Sequence, residues 1–314
     1  MVLGQAFGTG PQQTFYTNCV AEIPFADEVP PPGLHSVREC AAPGVSRICA
    51  AGTFNRRTGD LSHVDTIKDR LKAGKTVVGT AGSIATDVAV LADSGFDFLL
   101  FDTQHTPVEI KQLKPALDAV KGKKATPIVR VSDNRPDQIC FALDIGARGI
   151  VVPMVNTGEE AARMVRSCKY SPLGDRSNSG PRGEWGREFA NYRDYLDYVN
   201  DELLIIPMIE TKRAVDDIDN LLSVDGIDVL LVGPSDLSIE LEVPLDYTSD
   251  TYQRGLDRIA EACQRRGVVP GMYFIPPTIE PNFFVDKGFK FFTLPWAPWA
   301  TGGIRNGLAG INER

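Results

Sequence analysis

Leu99-Leu100-Phe101-Asp102-Thr103-Gln104-His105 is a short apolar run that ends abruptly in acid, amide and imidazole. Such a run reads as a buried strand that delivers polar groups to a cleft. Burying those groups costs free energy unless each finds a partner, so the cluster belongs more often to a site than to a plain core. His105 is one of three histidines in 314 residues. Asp and Thr after a strand also serve as turn and helix-cap residues, and the stretch alone leaves both readings open.

The pattern repeats outward from it. Apolar runs at 76–79, 96–101, 127–131, 149–155, 203–209, 227–232, 268–275 and 289–294 alternate with amphipathic stretches of helix length. Thr66 to Lys72 reads as a short helix stopped by Gly74. Thr106-Pro107-Val108-Glu109 and Thr157-Gly158-Glu159-Glu160 carry helix-start signals, a Thr cap with Glu three residues on. Strands apolar on both faces and separated by helices predict a parallel sheet covered by helices. Eight such units in about 240 residues predict an α/β chain closed into a (β/α)8 TIM barrel. No GxGxxG follows the first strand and no GxxxxGK[ST] occurs, which leaves a dinucleotide or P-loop fold without support.

Residues 1–62 lack any sustained period of 3.6 or 2, and Pro30-Pro31-Pro32-Gly33 breaks any helix there. They read as an irregular N-terminal extension to a barrel catalytic domain over 63–314. Phe15, Tyr16, Phe25 and Phe54 give the extension apolar anchors for wrapping the barrel or a neighbouring subunit; a disordered tail is the other reading.

A net charge of −8 gives no footprint for a phosphate backbone or an anionic membrane, so neither nucleic acid nor a membrane is expected as a partner. No apolar run approaches the ~20 residues of a membrane span, and the N-terminus lacks a basic region followed by an apolar one. Cys19, Cys40, Cys49, Cys140, Cys168 and Cys263 are scattered without CxxC or zinc-site spacing, as reduced thiols of a cytoplasmic protein would be.

In such a barrel the chemistry stands at the C-terminal strand ends. Strand two ends in Asp102, Gln104 and His105, strand three in Arg130 and strand five in Glu210, while strand six runs into Gly233-Pro234-Ser235-Asp236. Glu210 and Asp236 stand at equivalent heights on neighbouring strands. Two carboxylates so placed can share a hard divalent cation, magnesium or manganese, and leave positions for substrate and water. Either acid alone would also serve as a helix cap or a rim ion pair; their company with Arg130 and His105 favours the site. Arg130 leaves a buried strand as a planar cation suited to a carboxylate or a developing enolate oxygen. Backbone N–H groups of the turn through Gly233 and Ser235 suit an anion such as a substrate carboxylate. No projected strand end carries the lysine that a Schiff-base aldolase needs, which favours a metal-assisted route.

From about Thr66 to Leu294 the chain resembles the HpcH/HpaI family of class II, metal-dependent pyruvate aldolases, of which 4-hydroxy-2-oxoheptanedioate aldolase is typical and macrophomate synthase a related branch. The matching pieces, in order, are the stretch quoted first, Pro127 to Arg130, Ala142 to Ala147, Val152 to Val155, Lys169 to Arg176, Trp185-Gly186-Arg187, Ile209 to Lys212 and Gly233 to Ser238. The resemblance implies that Glu210 and Asp236 hold the metal, magnesium first, with manganese or cobalt as substitutes. It also implies that His105 is the acid/base residue, that Arg130 stabilises the enolate, and that the turn from Gly233 to Asp236 holds the carboxylate of a small 2-oxo acid. Asp102 and Gln104 support them.

The family pairs its His with an Asp matching Asp144. In a barrel that residue ends the helix after strand three, at the opposite end from the site, so it reaches a His only across a subunit interface. An ion pair at the rim is the other reading. The resemblance also implies a homo-oligomer, a hexameric trimer of dimers with an exchanged C-terminal helix. Here residues 296–314 contain Gly302, Gly303, Gly307 and Gly310, a composition that disfavours a firm helix. Gln104 stands where the family commonly has Glu, and Met208 where it has Gln. The expected reaction is retro-aldol cleavage of a 4-hydroxy-2-oxo acid to pyruvate and an aldehyde through a pyruvate enolate. Oxaloacetate decarboxylation, enolate trapping in the manner of macrophomate synthase, and a non-catalytic barrel that binds 2-oxo acids are the alternatives.

Overall fold

The computed structural model describes residues 66–180 and 188–309. The 1–62 extension and the Trp185-Gly186-Arg187 motif lie outside the described residues. Eight parallel strands close into a barrel in sequence order, β1 to β8: Val77–Gly82, Phe98–Asp102, Thr126–Arg130, Gly149–Val152, Leu204–Ile209, Val229–Val232, Val269–Met272 and Phe291–Thr293. All eight apolar runs became strands, so the (β/α)8 expectation holds.

The helices are α1 (Ile67–Lys72), α2 (Val88–Asp93), α3 (Lys114–Val120), α4 (Pro136–Asp144), α5 (Gly158–Cys168), α6 (Tyr192–Glu202), α7 (Lys212–Asp216), α8 (Ile218–Leu221), α9 (Pro234–Glu240), α10 (Asp250–Arg266), α11 (Pro281–Asp286) and α12 (Ala297–Ala309). Alternate strand residues separate two cores. Inward-facing Val77, Phe98, Leu100, Ile128, Leu231 and Phe291 pack with Ile67 and Leu71 of α1, which plugs the end where the strands begin. Outward-facing Leu99, Phe101, Val129, Ile150, Ile205 and Val232 pack under the helices. Phe98 and Phe291 stack at 4.3 Å across the barrel bottom, and a Cβ on Gly79 would lie 2.3 Å from the Phe98 ring. Glycine there is a condition of the plug.

The Thr157 cap forms as expected and Thr66 caps α1 in the same way, the two hydroxyls accepting from the Glu160 and Asp69 N–H groups at 3.2 Å each. Two helix expectations are corrected. Thr106 does not open a helix: its hydroxyl turns back to donate to the Asp102 carbonyl at 2.5 Å. The chain then bends through 103–107 and winds a 3-10 turn over Ile110–Leu113 before α3. The glycine-rich C-terminal region does form a helix, α12, although none of its residues is buried. Pro298 suits its first turn, and Trp299 stacks on Phe96 with ring centroids 5.9 Å apart.

Candidate active site

Asp102 closes β2 and Arg130 closes β3, and the ladder pairs them directly. Both point inward. Arg130 donates from Nε to Asp102 Oδ1 at 2.7 Å and from Nη2 to Oδ2 at 2.6 Å, a forked pair whose side chains are 3% and 11% exposed. The Gln104 N–H adds a bond to Asp102 Oδ1 at 2.9 Å. Burial works to raise the Asp102 carboxyl, but Arg130 and the backbone N–H groups of Gln104 and His105 outweigh it and hold it below its ordinary range. The pair therefore stays ionised, and the guanidinium is fixed in plane and height.

The remaining edge of Arg130 faces the barrel axis. Nη2 also donates to the Tyr273 hydroxyl at 2.9 Å, the guanidinium carbon lies 4.3 Å from the Tyr273 ring centre, and Nη1 approaches Met208 Sδ at 3.7 Å. Burial pushes the Tyr273 phenol up against the opposing pull of Arg130, which keeps it protonated.

Glu210 follows β5 and is 2% exposed. Its carboxyl is pushed up by burial; the Met154 N–H opposes this, the Asp236 charge reinforces it, and Arg130 and His105 pull weakly the other way. Asp236, Arg130 and His105 thus all act on one carboxylate. Two details seat it. Met154 donates its N–H to Glu210 Oε2 at 2.8 Å from a left-handed backbone, φ 54°, while its own side chain is exposed. A Cβ on Gly233 would lie 2.6 Å from Glu210 Oε1, so only glycine leaves the carboxylate its place.

The turn after β6 holds Gly233, Ser235 and Asp236. The Gly233 N–H donates to the Ile209 carbonyl at 3.1 Å and is not available to a ligand. The amides of Ser235 and Asp236, in the first turn of α9, remain. Asp236 is exposed at the mouth, and the Ser235 hydroxyl lies 3.4 Å from that of Tyr247. His105 is exposed on the loop after β2. Gln104 Oε1 is buried without a hydrogen-bond partner among the described residues. No C-terminal strand end carries a lysine.

Asp144 is not brought to this cluster within the chain. It ends α4 at the opposite barrel end, where the Arg176 guanidinium donates to its Oδ1 at 3.0 Å and stacks over Tyr170 at 4.5 Å. Sequence reasoning missed Tyr273 and Met154 as parts of the site. The inward parity of Val269, Gly271 and Tyr273 was the available signal for the first; nothing in the sequence marks a methionine for a left-handed backbone.

Asp102, Gln104, His105, Arg130, Glu210 and Asp236 thus gather at one end of a closed parallel barrel. Residues 76–295 match the HpcH/HpaI aldolase/citrate lyase family. The hydroxypyruvate/pyruvate aldolase of Roseovarius nubinhibens is 32% identical over 211 residues, 65% of this chain and 82% of its own length. The 2-keto-3-deoxy-L-rhamnonate aldolase of Escherichia coli K12 is 32% identical over 215 residues, 67% of this chain and 79% of its own. The crystal structure of an HpcH/HpaI aldolase from Desulfitobacterium hafniense superposes with a TM-score of 0.68 at 28% identity, over 79% of this chain and 97% of that one. The chain belongs to the HpcH/HpaI aldolase/citrate lyase family, as a carbon–carbon lyase.

Proposed function

We propose that this protein cleaves a 4-hydroxy-2-oxo acid to pyruvate and an aldehyde by a metal-dependent retro-aldol reaction. The observation that carries the reading is the braced, buried Arg130 acting on the same corner as Glu210. A cation and an acid pair at a barrel mouth suit a 2-oxo acid that becomes an enolate.

The residues fit a divalent cation. Glu210 is held in a corner that a Cβ would fill, and Asp236 is close enough to repel it, a tension that a cation relieves. The described residues contain no group of three or more His, Cys, Asp or Glu able to hold a metal. A two-carboxylate seat accordingly favours magnesium, which retains several waters, with manganese or cobalt as substitutes. When bound there, the cation supplies Lewis acidity to the 2-oxo group.

Arg130 donates to the oxygen that gains charge, and the Ser235 and Asp236 amides hold the substrate carboxylate. His105 takes the 4-hydroxyl proton as the C3–C4 bond breaks, leaving an aldehyde and the pyruvate enolate. Protonation at C3 then yields pyruvate. Asp102 holds Arg130, and the Gln104 side-chain carbonyl, without a partner among the described residues, is an acceptor beside this chemistry.

Asp144 orients His105 from a neighbouring subunit in this reading, which requires a homo-oligomer, a trimer of dimers. The exposed apolar side chains of α12, Trp299, Ile304 and Leu308, support such an assembly. The division into an extension over 1–62 and a barrel domain over 63–314 is part of the same proposal. No described helix is long and apolar enough to cross a membrane. Cys140, Cys168 and Cys263 are free thiols, in keeping with the cytoplasm.

The test is pyruvate release from 4-hydroxy-2-oxo acids and from oxaloacetate, with magnesium, manganese or cobalt and then with chelator. Release that needs metal and disappears in Glu210→Gln is expected. Release indifferent to both would overturn the reading.

A further inference from the structure

Four strands, β5 to β8, supply the wall opposite Asp102, and register places Glu210, Gly233, Tyr273 and Thr293 in one inward row. The row lies one residue beyond the ladder pairs Ile209 with Val232, Val232 with Met272 and Met272 with Phe292. Tyr273 stands in the middle of it. Its oxygen accepts from Arg130 Nη2 at 2.9 Å, so its own proton points elsewhere, and it has no acceptor among the described residues.

Arg130 is left in a matching state. Nε and Nη2 are committed to Asp102 and Tyr273, while among the described residues Nη1 has only the thioether of Met208 at 3.7 Å, a weak acceptor that does not compete with an anion. Next in the row, Thr293 is 5% exposed and its hydroxyl has no partner among the described residues. A buried polar group without a partner is costly, so this wall is built polar with nothing among the described residues to satisfy it. A ligand oxygen satisfies it.

We propose that Tyr273 is a catalytic residue: its hydroxyl, aimed by the Arg130 bond, donates to the C2 oxygen of the bound 2-oxo acid beside the free N–H of Arg130 Nη1. The inference rests on the pyruvate-enolate reading of the site. It adds a second donor to the oxygen on which charge develops, and a donor that needs no reorganisation as the enolate forms. The protonated state of the phenol is the one this role requires. Arg130 carries the charge; Tyr273 fixes where along its edge the oxygen sits.

The experiment uses the full chain loaded with magnesium and compares wild type with Tyr273→Phe, which keeps the ring over Arg130. Four quantities are read: kcat and KM for pyruvate release, the rate of exchange of pyruvate C3 protons in deuterated water, and the Kd of oxalate, a planar mimic of the enolate. Loss of one such donor costs on the order of a hundredfold in rate where it acts alone. With Arg130 still present, a ten- to hundredfold fall in kcat and in exchange is expected, with KM within about threefold and oxalate bound at least about tenfold more weakly.

Tyr273→Met, which keeps bulk without the hydroxyl, shows the same loss and covers the case in which the Phe variant fails to fold. If exchange and oxalate Kd in Tyr273→Phe stay within about twofold of wild type, Tyr273 only packs on Arg130 and the proposal is overturned. If wild type neither exchanges pyruvate protons nor binds oxalate, the enolate reading itself fails and takes the proposal with it.

Discussion

Gly233 and Glu210 share one corner of the barrel mouth, and the Cβ that Gly233 lacks would stand 2.6 Å from the Glu210 carboxylate oxygen. The glycine is there for space: its own φ is −91°, which any residue adopts. Gly233→Ala therefore displaces the carboxylate rather than straining the turn. Metal-dependent pyruvate release should fall by at least about a hundredfold, since a 1 Å misplacement is felt on that scale. Magnesium affinity, followed by calorimetry, should fall with it; unchanged affinity would sink the account.

Glu210 makes the opposite prediction for stability. Its carboxyl is raised above the ordinary 4.5, chiefly by burial, so the folded state disfavours the ionised form. Its contribution is most favourable below the unfolded value and declines as pH rises through the folded one. Glu210→Gln should accordingly raise the melting midpoint of the metal-free protein at pH 7. A gain of about 1 kcal/mol corresponds to roughly 2–4 °C for a domain of this size. The gain should vanish near pH 4, while activity is lost at every pH. A variant that melts lower at pH 7 would count against a carboxylate held at a cost for function.

Asp102 has the contrary sign. Its folded value lies below the ordinary 3.8, because the bonds from Arg130 and two backbone N–H groups overcome burial. The stability it contributes is complete above the unfolded value and is lost as pH falls below about 4. Asp102→Asn leaves the buried Arg130 charge unpaired, a loss of about 3–5 kcal/mol by the usual cost of breaking such a pair. Denaturant titration at pH 7 should show it, and the difference from wild type should shrink on acidification.

The barrel was legible because its strands are apolar on both faces and its helices carry their own start signals; eight runs and eight strands agree. Asp102, Arg130 and Glu210 were legible as charged residues at or just past strand ends, and Asp236 as an acid in the turn after β6. The pairing of Asp102 with Arg130 was not, since it depends on the register between β2 and β3. Thr106 was misread because its hydroxyl turns back to donate to the Asp102 carbonyl and its oxygen accepts from no helix N–H among the described residues. The α12 helix was misread because propensity counted its glycines, at about 1 kcal/mol each, and not the docking of Trp299 on Phe96. Tyr273 went unnoticed because its company is set by β3, where Arg130 lies 143 residues away in the chain.

Met154 tests the backbone side of the site. Its φ of 54° is unusual for a residue with a Cβ and is held in place while its N–H serves Glu210. Met154→Gly removes the strain and keeps the donor, so activity should stay within about threefold and stability within about 1 kcal/mol of wild type. Met154→Pro forces φ to about −65° and deletes the N–H, and should cost pyruvate release at least about tenfold. Equal loss in both variants would mean that the exposed side chain, not the amide, is what the site uses.

Asp144 and His105 decide the assembly. Within one chain Asp144 is held by Arg176 at the barrel end away from the mouth, so any partnership with His105 must be made between subunits. His105→Ala and Asp144→Ala proteins, each depleted in activity, are mixed after mild dissociation and reassembly. In a mixed oligomer some interfaces join an intact His105 to an intact Asp144, and for random pairing about a quarter do. Activity above that of either parent is expected, rising to about a quarter of wild type. No recovery, with mixed oligomers demonstrated by mass, would leave Asp144 to its contacts within its own chain and His105 working without Asp144 behind it.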